Sequence, residues 1–314
     1  MRKFLAVLLS AIVFCFAFAS CGSVGGKDDG KIKIVCTSHV VADWVNNIIP
    51  GDSDAYDVMF IGKKGVDMHN YQPSVADVRD INNGDILIYI GGESDRWVED
   101  IYFAEEPPIM LRLMDHIHGM VCEAEHEDGH DHGHEHEHSA DEHIWLSFEN
   151  ALLCTDKIAQ TIGELDAASA DVCARNLQRY QDKINEVYDE YKETVECAAH
   201  DTMVFADRFP FVYLMHELEL EYYAAFPGCS AESNAGFSTV ITLSEKVDEL
   251  SLPCVITIED SSANIAKSVV ENTDSKSAAV LSLDSMQVYR GGEFDYLDAM
   301  IKNLEVFKTA LGCE

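Results

Sequence analysis

The stretch 31–62, KIKIVCTSHVVADWVNNIIPGDSDAYDVMFIG, decides the fold class. It opens with an apolar strand pattern over 31–37, continues with helical apolar spacing over 40–49, and returns to a strand pattern over 56–61. A Pro-Gly pair ends the helical part. A strand, a helix and a second strand in this order predict a parallel βαβ unit.

The same alternation extends outward in both directions. A helix is predicted from Ser74 to Asn82, with Ser74 as its N-cap and Asp77 at the third helical position, and a buried strand follows over 86–90. The second half alternates in the same way, with strands at 202–206, 221–226, 254–258 and 278–283 and helices at 211–220, 239–250, 263–271 and 296–311. Both halves therefore predict a parallel sheet covered by helices.

One long helical pattern separates the halves. Apolar residues recur at threes and fours from about Asp166 to Ala199, and neither Pro nor Gly interrupts them. The sequence therefore predicts an α/β protein of two lobes with parallel sheets, joined by one rigid helix. We expect an N-terminal lobe over 31–165, a linker helix over 166–200 and a C-terminal lobe over 201–314.

The first residues have the features of an export signal. Two basic residues precede an apolar run that is short for a membrane span, so 1–20 are predicted to be a signal peptide. The sequence Phe18-Ala-Ser-Cys21 resembles a bacterial lipobox, which implies lipidation of Cys21 and a tether over 21–30. An ordinary cleaved signal is the alternative. We expect a protein on the extracytoplasmic face of the cell membrane, held by lipid.

Charge and cysteine usage narrow the function. The formal charge of −34 disfavours nucleic acid and anionic lipid surfaces as partners and favours a cationic ligand. The ten cysteines show no CxxC spacing, so a cysteine zinc cluster is not expected. Export permits disulfides, and we predict a bond between Cys254 and Cys313. Reduced, buried thiols are the alternative.

A low-complexity loop over 122–142 interrupts the fold pattern. Its imidazoles suit zinc, copper and nickel, and we predict that they capture or buffer metal, although passive solvation is an alternative. They are His126, His130, His132, His134, His136 and His138. Two HExxH strings occur here, but Gly129 and Gly133 break the helix that a metalloprotease site requires.

Outside the loop, three motifs resemble one family. Residues 65–73 are similar to its G-x-D-x-H-x-Y-x-P segment, 141–146 to its D-x-H-x-W-L segment, and Leu283-Asp284 to its late Leu-Asp position. The family comprises metal-binding proteins of zinc and manganese ABC importers, and the resemblance implies that His69, His143 and Asp284 are ligands. The resemblance also implies an importer permease as partner. The long helix matches the helix that joins the two lobes in this family, and the His-rich insertion is typical of its zinc branch.

One departure concerns the third ligand. The family has a His in an S-H-x-A-F segment, whereas this chain has Ala206 there. Asp207 or Glu232 is predicted to supply oxygen instead. Three imidazoles with a carboxylate suit Zn²⁺, while two imidazoles with two carboxylates fit Mn²⁺ or iron equally well. The His-rich loop favours zinc.

These observations predict capture and delivery of a divalent metal, most consistent with Zn²⁺, by a monomeric protein that is not an enzyme. Neutral imidazoles bind the ion, so affinity should fall below about pH 6. A metal-dependent hydrolase is an alternative, but no nucleophile motif or phosphate loop supports it. A metal buffer or a surface adhesin with a role in cell adhesion is a further alternative.

Overall fold

Each half of the chain builds a four-stranded parallel sheet. The computed structural model describes residues 30–51, 54–103, 106–118, 140–226, 228 and 235–313. The first sheet has the order β2-β1-β3-β4 and all of its pairings are parallel. Its strands and helices are β1 (Ile32–Cys36), α1 (His39–Ile48), β2 (Tyr56–Phe60), α2 (Val75–Asn82), β3 (Ile86–Tyr89) and β4 (Ile109–Arg112).

The second sheet repeats this arrangement with the order β6-β5-β7-β8, again entirely parallel. Its elements are β5 (Thr202–Phe205), α5 (Val212–Glu217), β6 (Glu221–Ala224), α6 (Phe237–Glu249), β7 (Cys254–Ile258), α7 (Asn264–Asn272), β8 (Ala279–Leu283) and α8 (Tyr296–Leu311). Parallel strands place their carboxyl ends along one edge of each sheet, where open α/β folds carry their ligand sites.

Two helices, α3 (Phe148–Leu165) and α4 (Ala170–Glu196), connect the sheets and pack against each other. The predicted linker helix therefore begins at Ala170, because an intervening turn separates it from α3. One hydrophobic cluster runs from the first sheet through these helices to the second. The part of the chain from Ile32 onward forms one compact unit.

The predicted local signals are present. Ser74 caps α2, and its side chain and that of Asp77 exchange hydrogen bonds with each other's backbone in a capping box. The predicted strand over 254–258 and the predicted helix over 296–311 have the bounds of β7 and α8. Within the described ranges, no helix is long and apolar enough to cross a membrane.

The predicted disulfide between Cys254 and Cys313 is wrong. Cys313 is bonded to Cys197, with Cα atoms 5.5 Å apart, whereas Cys254 is free and buried. The reason is topological: α4 packs along α8, and the backbone N–H groups of Ala199 and His200 donate to the carbonyl of Leu311. The ends of these two helices thus meet, while Cys254 begins a core strand.

Candidate metal centre

His69 lies in a short turn after β2. A 3₁₀ turn over Met68–Asn70 carries it, and the carboxylate of Asp67 caps this turn by accepting the backbone N–H of His69 at 3.0 Å. Next along the chain, the hydroxyl of Tyr71 donates to Asp77 at the start of α2. The position of the imidazole is therefore fixed by the cap on one side and by α2 on the other.

His143 lies in the second predicted ligand segment of the first lobe, 141–146, immediately before a 3₁₀ turn over Ile144–Leu146. Its side chain is 2% exposed. Both its backbone N–H and its Nδ1 contact Oδ1 of Asp141, each at 2.8 Å. The Asp141 carbonyl in turn accepts from the hydroxyl of Tyr213, which lies on α5 at 2.7 Å. Contacts from both halves of the molecule thus hold this segment.

Glu142 provides the equivalent support for His69. Its Oε1 lies 3.0 Å from Nδ1 of His69 and accepts from the Ser94 hydroxyl at 2.7 Å, and its Oε2 accepts from the Ser94 N–H at 2.8 Å. Burial alone would raise the pKa of Glu142, but the hydrogen bond from His69, the electrostatic attraction of the neighbouring His143 and His69, and Ser94 lower it to about 2. The buried carboxylate is therefore ionised.

The loop after β3 is shaped to hold Glu142. Asp95 accepts the N–H groups of Ile90 and Gly91 and the hydroxyl of Thr37, at 2.7, 2.9 and 2.9 Å. A Cβ atom at Gly92 would lie 2.2 Å from the Cβ of Glu142. Glycine is thus required where the loop passes this carboxylate, and the loop delivers Ser94 to it.

The two imidazoles face each other through Nε2. These atoms are 3.3 Å apart, while each Nδ1 faces a carboxylate from the pair Asp141-Glu142. The Ser94 hydroxyl also lies 2.7 Å from Nδ1 of His69. A carboxylate only accepts, so this arrangement favours the tautomer with the proton on Nδ1, in which Nε2 is the nitrogen that can bind a cation. This carboxylate–imidazole pairing is the arrangement that orients histidines for metal binding.

Among the described residues, His69, Glu142 and His143 form the set whose ligand atoms lie within 4.8 Å of one another. Glu142 could itself ligate, but both of its oxygens are already engaged by Ser94 and by the Nδ1 side of His69. We therefore assign it to orienting His69. Sequence reasoning missed Glu142 and Ser94, although Glu142 lies between the two recognised residues of the D-x-H segment.

The other predicted ligands are elsewhere. Oδ2 of Asp284 accepts from Arg290 at 2.9 Å and its Oδ1 accepts from the N–H of Met286. Asp207 accepts the N–H of Arg208. Neither belongs to the set around His69, and their role as ligands stays a prediction. Glu232, Cys21 and the six loop histidines lie outside the described residues.

The family of the chain follows from residues 34–310, which match the family model described as zinc-uptake complex component A, periplasmic. The chain belongs to this family. Membership confirms the resemblance inferred from the His69 and His143 segments.

Curated relatives span several metals. The chain is 23% identical over 323 residues to the zinc-binding protein AdcA of Streptococcus pyogenes serotype M3, covering 98% of this chain and 61% of that protein. It thus spans about three-fifths of the length of that relative. It is 24% identical to the iron-binding protein YfeA of Yersinia pestis, covering 90% of this chain and 87% of YfeA. It is also 24% identical to the metal ABC transporter substrate-binding lipoprotein ScbA of Streptococcus cristatus, covering 98% of both.

A solved structure confirms the fold class. The laminin-binding protein Lmb of Streptococcus agalactiae superposes with a TM-score of 0.72 at 19% identity, covering 89% of this chain and 99% of that one. The fold of two parallel sheets joined through a long helix is therefore shared with this solved structure. Among the relatives of the chain, AdcA is a zinc-binding and YfeA an iron-binding protein.

Proposed function

We propose that this protein captures a divalent transition metal, Zn²⁺ by preference, and delivers it to the permease of an ABC importer. The observation that carries the proposal is the pair of Nε2 atoms 3.3 Å apart. Two nitrogens bound to one tetrahedral Zn²⁺ at about 2.0–2.1 Å lie about 3.4 Å from each other. The imidazoles thus already have the spacing that the ion requires.

We propose that a carboxylate from the second lobe completes the coordination shell, with Asp284, Asp207 and Glu232 as the three candidates. Asp284 would have to exchange its contact with Arg290 for one with the ion. A donor from each lobe would make the bound ion a link between them, so release would accompany a small shift of the lobes on the permease.

The preference for zinc rests on ligand chemistry and on the loop over 122–142. Imidazole is a favourable ligand for Zn²⁺ and a weaker one for Mn²⁺. A tract of six histidines would therefore raise the local concentration of zinc more than that of manganese. Manganese or iron remains the alternative because the site has two imidazoles, those of His69 and His143, rather than three.

Metal analysis of the purified protein, followed by competition, tests this choice. We expect one tightly bound equivalent of zinc, and we expect equimolar zinc to displace manganese from that site. Retention of manganese against a tenfold excess of zinc would exclude the zinc preference. An absence of any tight site would exclude the metal-capture function itself.

The proposed location is the outer face of the cell membrane, with the lipid on Cys21 as anchor. Cys21→Ser removes the lipidation site and should release the protein from the membrane fraction, which fractionation and immunoblotting would show. If the variant stayed in the membrane fraction, the anchor would lie elsewhere.

A further inference from the structure

Arg208 reaches from the second lobe to the turn that carries His69. It follows β5, and its Nη1 lies 2.9 Å from Oδ2 of Asp67. The other oxygen of Asp67 accepts the backbone N–H of His69 at 3.0 Å. A single carboxylate therefore connects a guanidinium of the second lobe with the backbone of a metal-binding residue in the first.

The backbone around Asp67 is also attached to the second lobe. The N–H of Gly65 donates to the carbonyl of Tyr289 at 2.8 Å, and the N–H of Met68 donates to that of Gln287 at 3.1 Å. Between them, Asp67 and Val288 form an antiparallel bridge. These bonds hold the main chain of the turn, while the ion pair fixes the side chain that caps it.

The residue two positions before Arg208 has no side-chain donor for a metal. Ala206 is 1% exposed and contributes only a methyl group to the core. Asp207 turns its Oδ1 to the N–H of Arg208. This segment therefore acts on the His69 turn through the guanidinium of Arg208, which lies against Asp67.

We propose that Arg208 is a positioning residue for the metal site: by holding Asp67, it keeps His69 in the orientation that binds the ion. The proposal rests on the proposed function, since it assigns a role within the same site. The pair is partly buried, with side chains 26% and 13% exposed, so solvent screens it incompletely. Metal affinity in this chain is thus linked to the contact between the lobes.

A positioning role and a purely electrostatic role of Arg208 predict opposite changes in metal affinity when Arg208 is replaced. Arg208 is a positive charge near a site for a cation, so its removal would strengthen binding if charge alone mattered. If Arg208 positions His69, its removal weakens binding, because the capping carboxylate is released. The loss of an outer partner of a metal ligand typically weakens binding by about 10- to 100-fold.

The test is titration of the purified full chain with Zn²⁺, in variants whose metal-free melting temperatures match that of the wild type. Arg208→Met should weaken the tight site about tenfold, and Arg208→Lys, which keeps the charge and one donor, should recover part of the loss. Asp67→Asn should cause a similar loss. The double variant should be no weaker than either single variant, because both remove one contact.

Lys64→Met is the matched control, because Lys64 lines the same cavity as Arg208 and is exposed. It removes one positive charge near the site and should leave affinity unchanged or slightly higher. Unchanged or tighter binding in Arg208→Met, or additive losses in the double variant, would overturn the positioning role. If the wild type itself bound no zinc tightly, the proposed function would fail instead.

Discussion

The two faces of the proposed metal centre are built differently. On the first-lobe face, His69 and His143 are each held by a carboxylate, and Glu142 is itself fixed by Ser94. On the second-lobe face, the carboxylate of Asp284 is occupied by an arginine. The first face is thus prepared for a cation, whereas the second must exchange a contact to bind one. Preorganisation on one side leaves the other free to move, which suits the proposed release of the ion.

Removing an imidazole from the first-lobe face should have the largest effect on zinc affinity. His69→Ala or His143→Ala leaves one Nε2 at the site, so we expect affinity for Zn²⁺ to fall by at least about a hundredfold. The wild type should gain about 4 kcal/mol of stability at a thousandfold excess of free metal over the dissociation constant, and these variants should lose most of that gain. Thermal unfolding with and without zinc measures it.

The exposed His216→Ala is the control for this pair, because His216 lies on α5 and is not among the residues of the site. It should retain the full zinc-induced shift in melting temperature. If His69→Ala and His143→Ala also retained the full shift, the tight site would lie elsewhere in the chain and the comparison of the two faces would lose its basis.

Changing the carboxylates that orient the two histidines, rather than the histidines themselves, should have an intermediate effect on zinc affinity. Glu142→Gln keeps the shape of the side chain and removes its charge, so Nδ1 of His69 loses its ionised acceptor. We expect zinc affinity to fall about 10- to 100-fold, measured by competition with a chelator. Asp141→Asn should act similarly through His143. An unaltered affinity in both variants would show that the carboxylates stabilise the fold without tuning the ligands.

Substitutions on the second-lobe face should reduce zinc affinity less than those on the first-lobe face. Asp284→Ala, Asp207→Ala and Glu232→Ala each test one candidate for the completing carboxylate, and we expect one of them to weaken binding by about tenfold and the others hardly at all. Calorimetric titration with zinc would rank them. A loss as large as that of the histidine variants would mean that both faces contribute equally, contrary to the asymmetry of the structure.

A buried histidine, His39, should have a smaller effect, which is on the stability of the folded protein and depends on pH. His39 is 7% exposed and packs against the rings of Phe60, Tyr289 and Phe294. Burial lowers the pKa of His39 from 6.5 to about 4, with Asp284 raising it and Arg290 lowering it. A depressed histidine pKa means that the folded state favours the neutral ring, so this stability is complete above pH 6.5 and is lost as pH falls toward 4.

The loss at pH 4 is on the order of 3 kcal/mol if the unfolded chain titrates normally. Urea unfolding of the metal-free protein at several pH values would measure it. His39→Leu should remove this part of the pH dependence, so the difference between wild type and variant isolates it from the other histidines. Parallel pH profiles for the two proteins would contradict the assignment.

Patterned apolar segments explain why most of the fold could be predicted. Buried strands such as β3 and β7 are continuous apolar runs bounded by turn residues, and both were predicted. Strand β4 was missed because it is short, and half of its residues are exposed at the edge of its sheet. The pairing of Cys197 with Cys313 could not be predicted because it depends on which helix ends meet in space.

The site was predicted only in part for a related reason. His69 and His143 stand in recognisable motifs, whereas Glu142 is one acid in a strongly acidic chain, and its burial appears only in the fold. The contact of Asp284 with Arg290 is likewise a matter of side-chain placement. Sequence patterns identify ligand types and spacing, but which carboxylates orient an imidazole depends on three-dimensional contacts.

X-ray absorption at the zinc edge, on protein lacking residues 122–139 and loaded with one equivalent of zinc, tests the central claim most directly. Two imidazole nitrogens at about 2.0–2.1 Å, with oxygen filling the remaining positions, is the predicted result. The number of imidazole ligands should fall from two to one in His69→Ala and likewise in His143→Ala. A site that vanished on deletion of the loop, or a shell containing three or more imidazoles, would contradict a centre built on His69 and His143.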